Sequence, residues 1–423
     1  MIDVTVLADD LTGAADCGIA FALAGLPTFV SLGNAPAPDS AQIVSVDTDS
    51  RRLAEKEAVQ RADEAARDAL RRGSRALYKK IDSTLRGHVA AELAATVRAA
   101  AGKPLVLFAP AFPGTARIMR GGQVMVGGVP LEATEVWRKS GMAGPAAPVA
   151  MLQGTGLSAE AVPLQAIRSG LAAKLLEVAD RGVQVAVCDA EEERDLRRIA
   201  EAGAAFPRPV IWVGSGGLAR HLPPALGLRA RAGSAASPRL LPGPVLALVG
   251  SRSTVAREQA RVLGAEEGIA TLELEPEALL AGPGNDAWAR AAAGLSRVLD
   301  SGRDALLITP LGPKVDLEIG PALAAALARF ALEPSRRVGG LLATGGDIAR
   351  AVLGALGASG LHLVGEVETG VPIGIADRQP PLPVVTKAGA FGSAQTLLRG
   401  RAALKRLISA GAGGRTSTGA GRA

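Results

Sequence analysis

Three short runs in the first quarter of the chain gather groups that can hold or move charge. ADDLTGAAD (8–16) sets Asp9 and Asp10 directly after the apolar run VTVLA and just before Thr12 and Gly13. Adjacent carboxylates at the carboxyl end of a strand can accept hydrogen bonds from polyol hydroxyls, or one can serve as general base on an alcohol. Asp10 can equally act as a plain helix cap. DTDSRR (47–52) again follows an apolar run, and Arg51 offers a planar fork suited to a carboxylate or phosphate, with Ser50 as the expected cap of the next helix. YKKIDSTLRGH (78–88) is the densest: Lys79, Lys80, Ile81, Asp82, Ser83, Thr84 and Arg86 occupy one turn ahead of a new helix. Cations, hydroxyls and an acid at a helix N-terminus make an anion site. His88 closes this run, but no GxSxG elbow accompanies it, so it reads as packing or periphery and not as part of a hydrolase triad.

The second half carries a different chemistry. In LVGSRSTVAREQ (248–259), Ser251 and Ser253 lie in a glycine-containing turn before a helix. In LLATGGDIARAV (341–352), Thr344, Gly345, Gly346 and Asp347 stand between an apolar strand and a helix. Backbone N–H groups in such turns can cradle phosphate, and glycine lets the backbone come close. Asp347 is the candidate Mg²⁺ ligand, because that ion takes one or two carboxylates and completes its shell with phosphate oxygens. TKAGAFG (386–392) supplies a third glycine turn, with Gly389 at its centre. A GxxxxGK[ST] loop and a GxGxxG with an acidic ribose reader are both missing, which disfavours a P-loop kinase and a dinucleotide dehydrogenase.

Elements must exist to bring these loops to one edge, and the pattern supplies them. Short β-type runs alternate with amphipathic helical stretches: VTVLA, TFVSL, QIVSVDT, ALYKKI and PLVLFAP, with helices expected to Ala24 from Cys17, over 53–72 and over 89–101. From Phe112 to Trp137 little period is visible, which suggests a long excursion over the sheet. VQVAVCDA and PVIWVGSGG resume the strands. The second half repeats the alternation with PVLALVGS, ALLITP, VGGLLATGG, HLVGEVE and VVTKAGAFG, and with helices over 254–267, 319–330, 348–356 and 393–408. The expected fold class is α/β: two α/β domains with largely parallel sheets and an active site in the interdomain cleft. Domain 1–228 is expected to bind a sugar acid and 243–408 a nucleotide, joined by a polar linker at 229–242 and followed by a disordered tail at 409–423.

At 423 residues, 48% hydrophobic and only 3% aromatic, with 52 glycines and 27 prolines, the chain suits two layered α/β cores built on Ala, Leu and Val. The formal charge of +6 does not point to nucleic acid, since the eight basic residues after Asp377 exceed that surplus and no aromatic platform interleaves them. Cys17 and Cys188 show neither disulfide nor zinc spacing. The opening MIDVTVLADD lacks the basic-then-apolar design of a signal peptide, and no uninterrupted apolar span could cross a bilayer, so a soluble, cytoplasmic protein is expected.

These motifs, in this order, resemble those of the four-carbon acid sugar kinases: ADDLTGAAD, DTDSR, KKIDSTLRG, APAFPGTAR, GGVPLEATE, GSRSTVAREQ, ATGGDIARAVL and TKAGAFG, over nearly the whole chain from Val4 to about Leu404. The resemblance implies an ATP-dependent kinase acting on D-threonate, D-erythronate or 3-oxo-tetronate. It implies a sugar-acid site from Asp9, Asp10, Arg51 and the Lys80–Arg86 loop, and an ATP site from Ser251, Ser253, Thr344–Asp347 and Gly389. Two positions depart from the family pattern: Arg252 stands between the serines where a small residue is common, and His88 where Asn is common.

The expected reaction is phosphorylation of the terminal hydroxyl, with Mg²⁺ and ATP on the second domain. Arg51, Lys80 or Arg86 would fix the substrate carboxylate, and Asp9 or Asp10 would orient or deprotonate the hydroxyl. The competing readings are a non-catalytic sugar-acid sensor and an NAD-linked oxidoreductase, for which no fingerprint exists. The partners implied are the acid and ATP, without nucleic acid or membrane, and homo-oligomerisation is left open.

Overall fold

Val, Ile and Leu dominate the short apolar runs, and in the strands VTVLA, LVLFA and VLALV every residue is buried, the signature of a parallel sheet covered by helices. The structure is a computed structural model that describes residues 1–33, 35–142, 144–231, 238–250, 253–310 and 319–412. The chain divides into two compact units, Met1–Ser234 and Ala235–Ala423. Among the described residues, no helix is long and apolar enough to cross a membrane.

In the first unit the strands are β1 (Val4–Ala8), β2 (Thr28–Leu32), β3 (Ile43–Asp47), β4 (Ala76–Lys80), β5 (Leu105–Ala109), β6 (Arg117–Arg120), β7 (Gln123–Val126), β8 (Val129–Pro130), β9 (Ala159–Val162), β10 (Val185–Cys188) and β11 (Val210–Gly214). Eight of them form a parallel sheet in the order β2-β3-β1-β4-β11-β5-β10-β9. Helix α1 (Leu11–Ala22) leads from β1 toward β2, whereas α3 (Val89–Ala99) leads from β4 the other way, toward β5; α2 (Glu55–Arg71) joins β3 to β4. The crevice between the ends of β1 and β4 is therefore the topological switch point, where open α/β sheets place ligands.

The stretch Phe112–Trp137 corrects the expectation of an unpatterned excursion, because β6, β7 and β8 form a small antiparallel sheet. Its two turns are Gly121-Gly122 and Gly127-Gly128, all four with positive φ. Two-residue Gly-Gly loops between β-type runs are a hairpin signal, and RIMR-GG-QVMV-GG-VP carries it twice. Asp189, beyond β10, accepts from Gly121 N and Gly122 N at 2.8 and 2.9 Å and so ties the hairpin down.

The second unit contains β12 (Val245–Val249), β13 (Ile269–Glu273), β14 (Asp304–Ile308), β15 (Gly340–Thr344), β16 (Gly360–Glu366), β17 (Pro372–Ala376) and β18 (Leu382–Lys387). The order β13-β14-β12-β15-β18 is parallel, and β17 and β16 add an antiparallel edge. Strands β13 and β17 are absent from the pattern reading. Helix 254–264 leaves β12 toward β13 and helix 346–355 leaves β15 toward β16, so this unit too has a switch point, between β12 and β15.

The regions expected as linker and tail are partly fastened. Gln42 Nε2 donates to Arg229 O at 2.7 Å, and Arg231 pairs with Asp3 at 2.9 Å. Leu240 is buried and lies against Gly411. The last helix, Thr396–Ala412, runs beyond 408, and residues 413–423 lie outside the described residues. Among the described residues, three of the late basic side chains have acidic partners: Arg399 meets Glu368, while Arg401 and Lys405 both meet Asp304, at 2.6 and 2.7 Å.

Asp304 is buried, which pushes its pKa up, but Lys405, the Val245 N–H and Arg401 override this and hold it below the usual carboxylate value. A depressed carboxylate adds stability above its unfolded pKa of about 3.9, lost as pH falls through the folded value. Asp304→Asn is thus expected to cost about 2 kcal/mol at pH 7. In urea titrations the gap from wild type should shrink below about pH 4; a gap unchanged with pH would refute the linkage.

Candidate active site

Register decides what meets at the first switch point. Ala8 pairs with Asp47 and Leu7 with Lys79, so Asp9 and Thr48, just beyond their strands, and Lys80, the last residue of β4, emerge at one edge. The DTDSR turn is then pinned to the end of β1: Ser50 N and Arg51 N both donate to Asp9 O, and the Thr48 hydroxyl donates to Ala8 O at 2.9 Å. Ser50 does not cap α2, whose N-cap is Ala54. Its hydroxyl donates instead to Glu92 Oε1 at 2.6 Å. Glu92 also takes Lys79 Nζ at 2.6 Å, both side chains 2% exposed, so this ion pair is a buried strut below the loops.

Arg51 lies between the two aspartates. Nε and Nη2 donate to the two oxygens of Asp9 at 2.7 and 2.8 Å, and Nη1 and Nη2 to those of Asp10 at 2.7 and 2.8 Å. Asp10 is at the same time the N-cap of α1, accepting from Gly13 N at 2.9 Å and from the Thr12 hydroxyl at 2.6 Å. The cap and the candidate site carboxylate are thus one residue. Burial pushes the Asp9 carboxyl up, and the Arg51 guanidinium, with Lys79 and Lys80 behind it, brings it below its ordinary value.

In the Lys80–Arg86 loop, Asp82 receives Arg86 through Nε and Nη2 at 2.7 and 2.9 Å and also accepts from the Thr84 hydroxyl. Burial would raise its pKa; Arg86 and Arg51 hold it well below the carboxylate range. Ile81 N donates to Gly214 O at 2.9 Å and anchors the loop to β11. Ser83 and Thr84 are buried beside it, and His88 contacts Leu53 O at 2.7 Å, on the periphery.

Lys80 differs from the other cations of this cluster. Arg51, Lys79 and Arg86 each have a carboxylate partner, whereas Lys80 makes no ion pair among the described residues, although it is only 5% exposed. Burial lowers its pKa, but Cys17, Asp10 and Asp16 together raise it above the usual lysine value, so it remains an ammonium. Its Nζ lies 2.7 Å from where a Cβ on Gly13 would stand, and Asp10 Oδ1 2.6 Å, so the glycine leaves room for both groups.

Two further residues at this edge escape the sequence reading. Asp16, on α1, acts on Lys80, and Arg117, at the start of β6, acts on Asp82 and Arg86. Burial pulls the pKa of Arg117 down. Its signal is present in APAFPGTAR, where an arginine follows the Pro113-Gly114 turn, but the run itself names no ligand.

At the second switch point, Thr344 ends β15 and Gly345 takes φ +103°, a value that favours glycine, before helix 346–355 with Asp347 in its first turn. Gly345 N donates to Lys387 O at 2.9 Å, which joins this loop to the TKAGAFG turn containing Gly389. Ser253 is the N-cap of helix 254–264, while Ser251 lies outside the described residues, as does Arg252. Lys387, which sequence reasoning passed over in favour of Gly389, is 1% exposed beside these loops.

Residues 4–222 match a family model described as a sugar-binding N-terminal domain, and residues 246–397 match a nucleotide-binding C-terminal domain. The chain is 44% identical to the D-threonate kinase of Cupriavidus necator (93% of this chain, 95% of that protein) and 35% identical to that of Bordetella bronchiseptica (95% and 97%). It is 32% identical to the 3-oxo-tetronate kinase of Methylobacterium radiotolerans (92% and 96%). A solved protein of Salmonella typhimurium LT2 shares the fold with a TM-score of 0.79 at 21% identity, covering 95% of this chain and 99% of that one. With both domain models in place and these relatives spanning almost its full length, the chain belongs to the four-carbon acid sugar kinase family.

Proposed function

We infer that this protein is an ATP-dependent kinase that phosphorylates the terminal hydroxyl of a four-carbon sugar acid, D-threonate first among the candidates. The observation that carries the reading is the first switch point, where two aspartates are held by Arg51 next to a buried ammonium that has no ion-pair partner among the described residues. Such a set reads a molecule with a carboxylate at one end and hydroxyls along its length: Lys80 meets the anion, and Asp9 and Asp10 accept from hydroxyls. D-threonate leads because the D-threonate kinases are more similar to this chain than its 3-oxo-tetronate relatives.

Within this proposal Asp9 or Asp10 takes or orients the hydroxyl proton, Lys80 fixes the acid end, and the loop Ile81-Asp82-Ser83-Thr84 with Arg86 shapes the pocket wall. Ser251, Ser253, Thr344, Gly345, Gly346 and Gly389 form the ATP site. Asp347 is the one carboxylate in the glycine loop, and among the described residues no cluster of three or more metal-ligating side chains occurs. That donor set fits Mg²⁺, which is content with one or two carboxylates when phosphate oxygens complete its shell, and which neutralises charge on the transferring phosphoryl group when bound.

The test is ADP release from Mg·ATP with D- and L-threonate, D- and L-erythronate and 3-oxo-tetronates. Turnover is expected on one acid, with kcat of about 1–100 per second as kinases show. Tight acid binding by calorimetry with no ADP release on any acid would favour the sensor reading.

A further inference from the structure

We propose that Lys387 grips the phosphate chain of ATP and neutralises charge on the phosphoryl group during transfer. The proposal rests on the kinase reading above and adds a residue that the motifs do not assign.

Lys387 is the last residue of β18 and stands in register with Thr344, the last residue of β15. Residues in register on neighbouring strands project from the same face of a sheet, so both side chains leave the same side of the carboxyl edge. That edge carries the glycine loop on one side and the TKAGAFG turn on the other. Both side chains are buried, at 0% exposure for Thr344 and 1% for Lys387.

Neither is satisfied by the protein. The Thr344 hydroxyl is buried with no hydrogen-bond partner among the described residues. Lys387 Nζ donates to one acceptor among the described residues, Gly389 O at 3.2 Å, although an ammonium has three N–H groups. A buried cation with two idle donors is costly unless an anion completes it.

The nearby acid does not fill that role. Glu368 is the carboxylate that acts on Lys387, but it is engaged by Ser393 N at 2.9 Å, by the Thr396 hydroxyl and by Arg399 at 3.2 Å. Burial lowers the Lys387 pKa to about 8, and Glu368 only partly offsets this. A bound polyphosphate would supply both the missing acceptors and the missing charge.

The sequence context fits the same role. Gly345 N already donates to Lys387 O, so the lysine backbone and the glycine loop move as one piece, and the ammonium is held beside the helix N-terminus where phosphate binds best. A lysine on a strand end beside a glycine loop acts as a point charge for phosphate, as in other nucleotide folds that lack sequence kinship.

The experiment compares wild type, Lys387→Met and Lys387→Arg by calorimetry with adenosine, ADP and ATP, by steady-state kinetics and by thermal melting without ligand. Methionine fills the lysine volume without charge, so Lys387→Met should melt no lower than wild type. Its ATP affinity should fall at least 30-fold and kcat at least 100-fold, while adenosine binding changes less than threefold. Wild-type ATP affinity should weaken between pH 7 and 9 as the ammonium titrates, and Lys387→Arg should flatten that limb. A Lys387→Met enzyme that keeps ATP affinity, kcat and the pH limb would overturn the role of Lys387 and leave the kinase reading intact. Wild type that binds the acid yet neither binds nor consumes ATP would instead overturn the kinase reading.

Discussion

Arg51→Ala is expected to destroy acid phosphorylation and to cost about 3–5 kcal/mol of stability, because it strips the shared partner from two neighbouring, mostly buried carboxylates. Four hydrogen bonds vanish together. The sign of the pH effect follows from Asp9. In the native protein Arg51 holds its pKa down against burial, so its contribution to stability is present above the unfolded value of about 3.9 and lost as pH falls through the folded one. Without Arg51, burial dominates and the Asp9 pKa rises. Any residual kcat/KM should therefore show its acidic limb at higher pH than wild type, and urea midpoints should fall most near neutral pH. Arg51→Lys should restore only part of the stability, since one ammonium cannot serve both carboxylates through a planar fork. A variant with wild-type stability and an unmoved acidic limb would remove the aspartate lock from the mechanism.

Lys80→Met should separate binding of the acid from binding of the nucleotide. Truncating one partner of a buried charge pair costs about 2–5 kcal/mol. That predicts a loss of about 30- to 5,000-fold in kcat/KM for the acid, at 1.36 kcal/mol per decade. The loss should appear in acid affinity by calorimetry, with ATP affinity unchanged because the loops proposed to bind ATP lie in the other unit. Lys80→Arg keeps the charge but replaces a point ammonium with a planar fork, so it should restore only part of the acid affinity. If Lys80→Met bound the acid normally, the carboxylate would have to be read by Arg86 or Arg117 instead, and the assignment of the free ammonium would fall. Paired measurement of Arg86→Met settles which cation carries the anion: Arg86 is already committed to Asp82, so its loss should disturb the loop more than the affinity.

Much of this protein is readable without coordinates. The apolar runs are strands because β-branched and leucine residues recur over the length of a buried strand, and the polar motifs fall after them because loops at strand ends can afford exposed chemistry. What went astray was local. The hairpin at 117–130 is easily lost because four glycines dilute its period, while β13 (IATLE) mixes polar with apolar residues and β17 (PIGIA) opens on proline and holds a glycine, so neither shows a continuous apolar run. Ser50 looked like a cap because a serine precedes a helix by the right distance, but its hydroxyl is claimed by Glu92 from another helix.

The sequence by itself determined which residues are charged, where the chain turns, and that motifs for an anion and for phosphates follow strands in separate halves. Only the tertiary structure decided which charges cancel. Arg51 meets acids 42 and 41 positions away, and Asp304 meets cations about a hundred positions later, because strand register and helix packing set those distances and spacing along the chain does not. The same long-range approach leaves Lys80 and Lys387 buried with donors to spare. A group becomes a ligand when the fold has matched all its neighbours and left it over, and that remainder exists only once the sheet has closed.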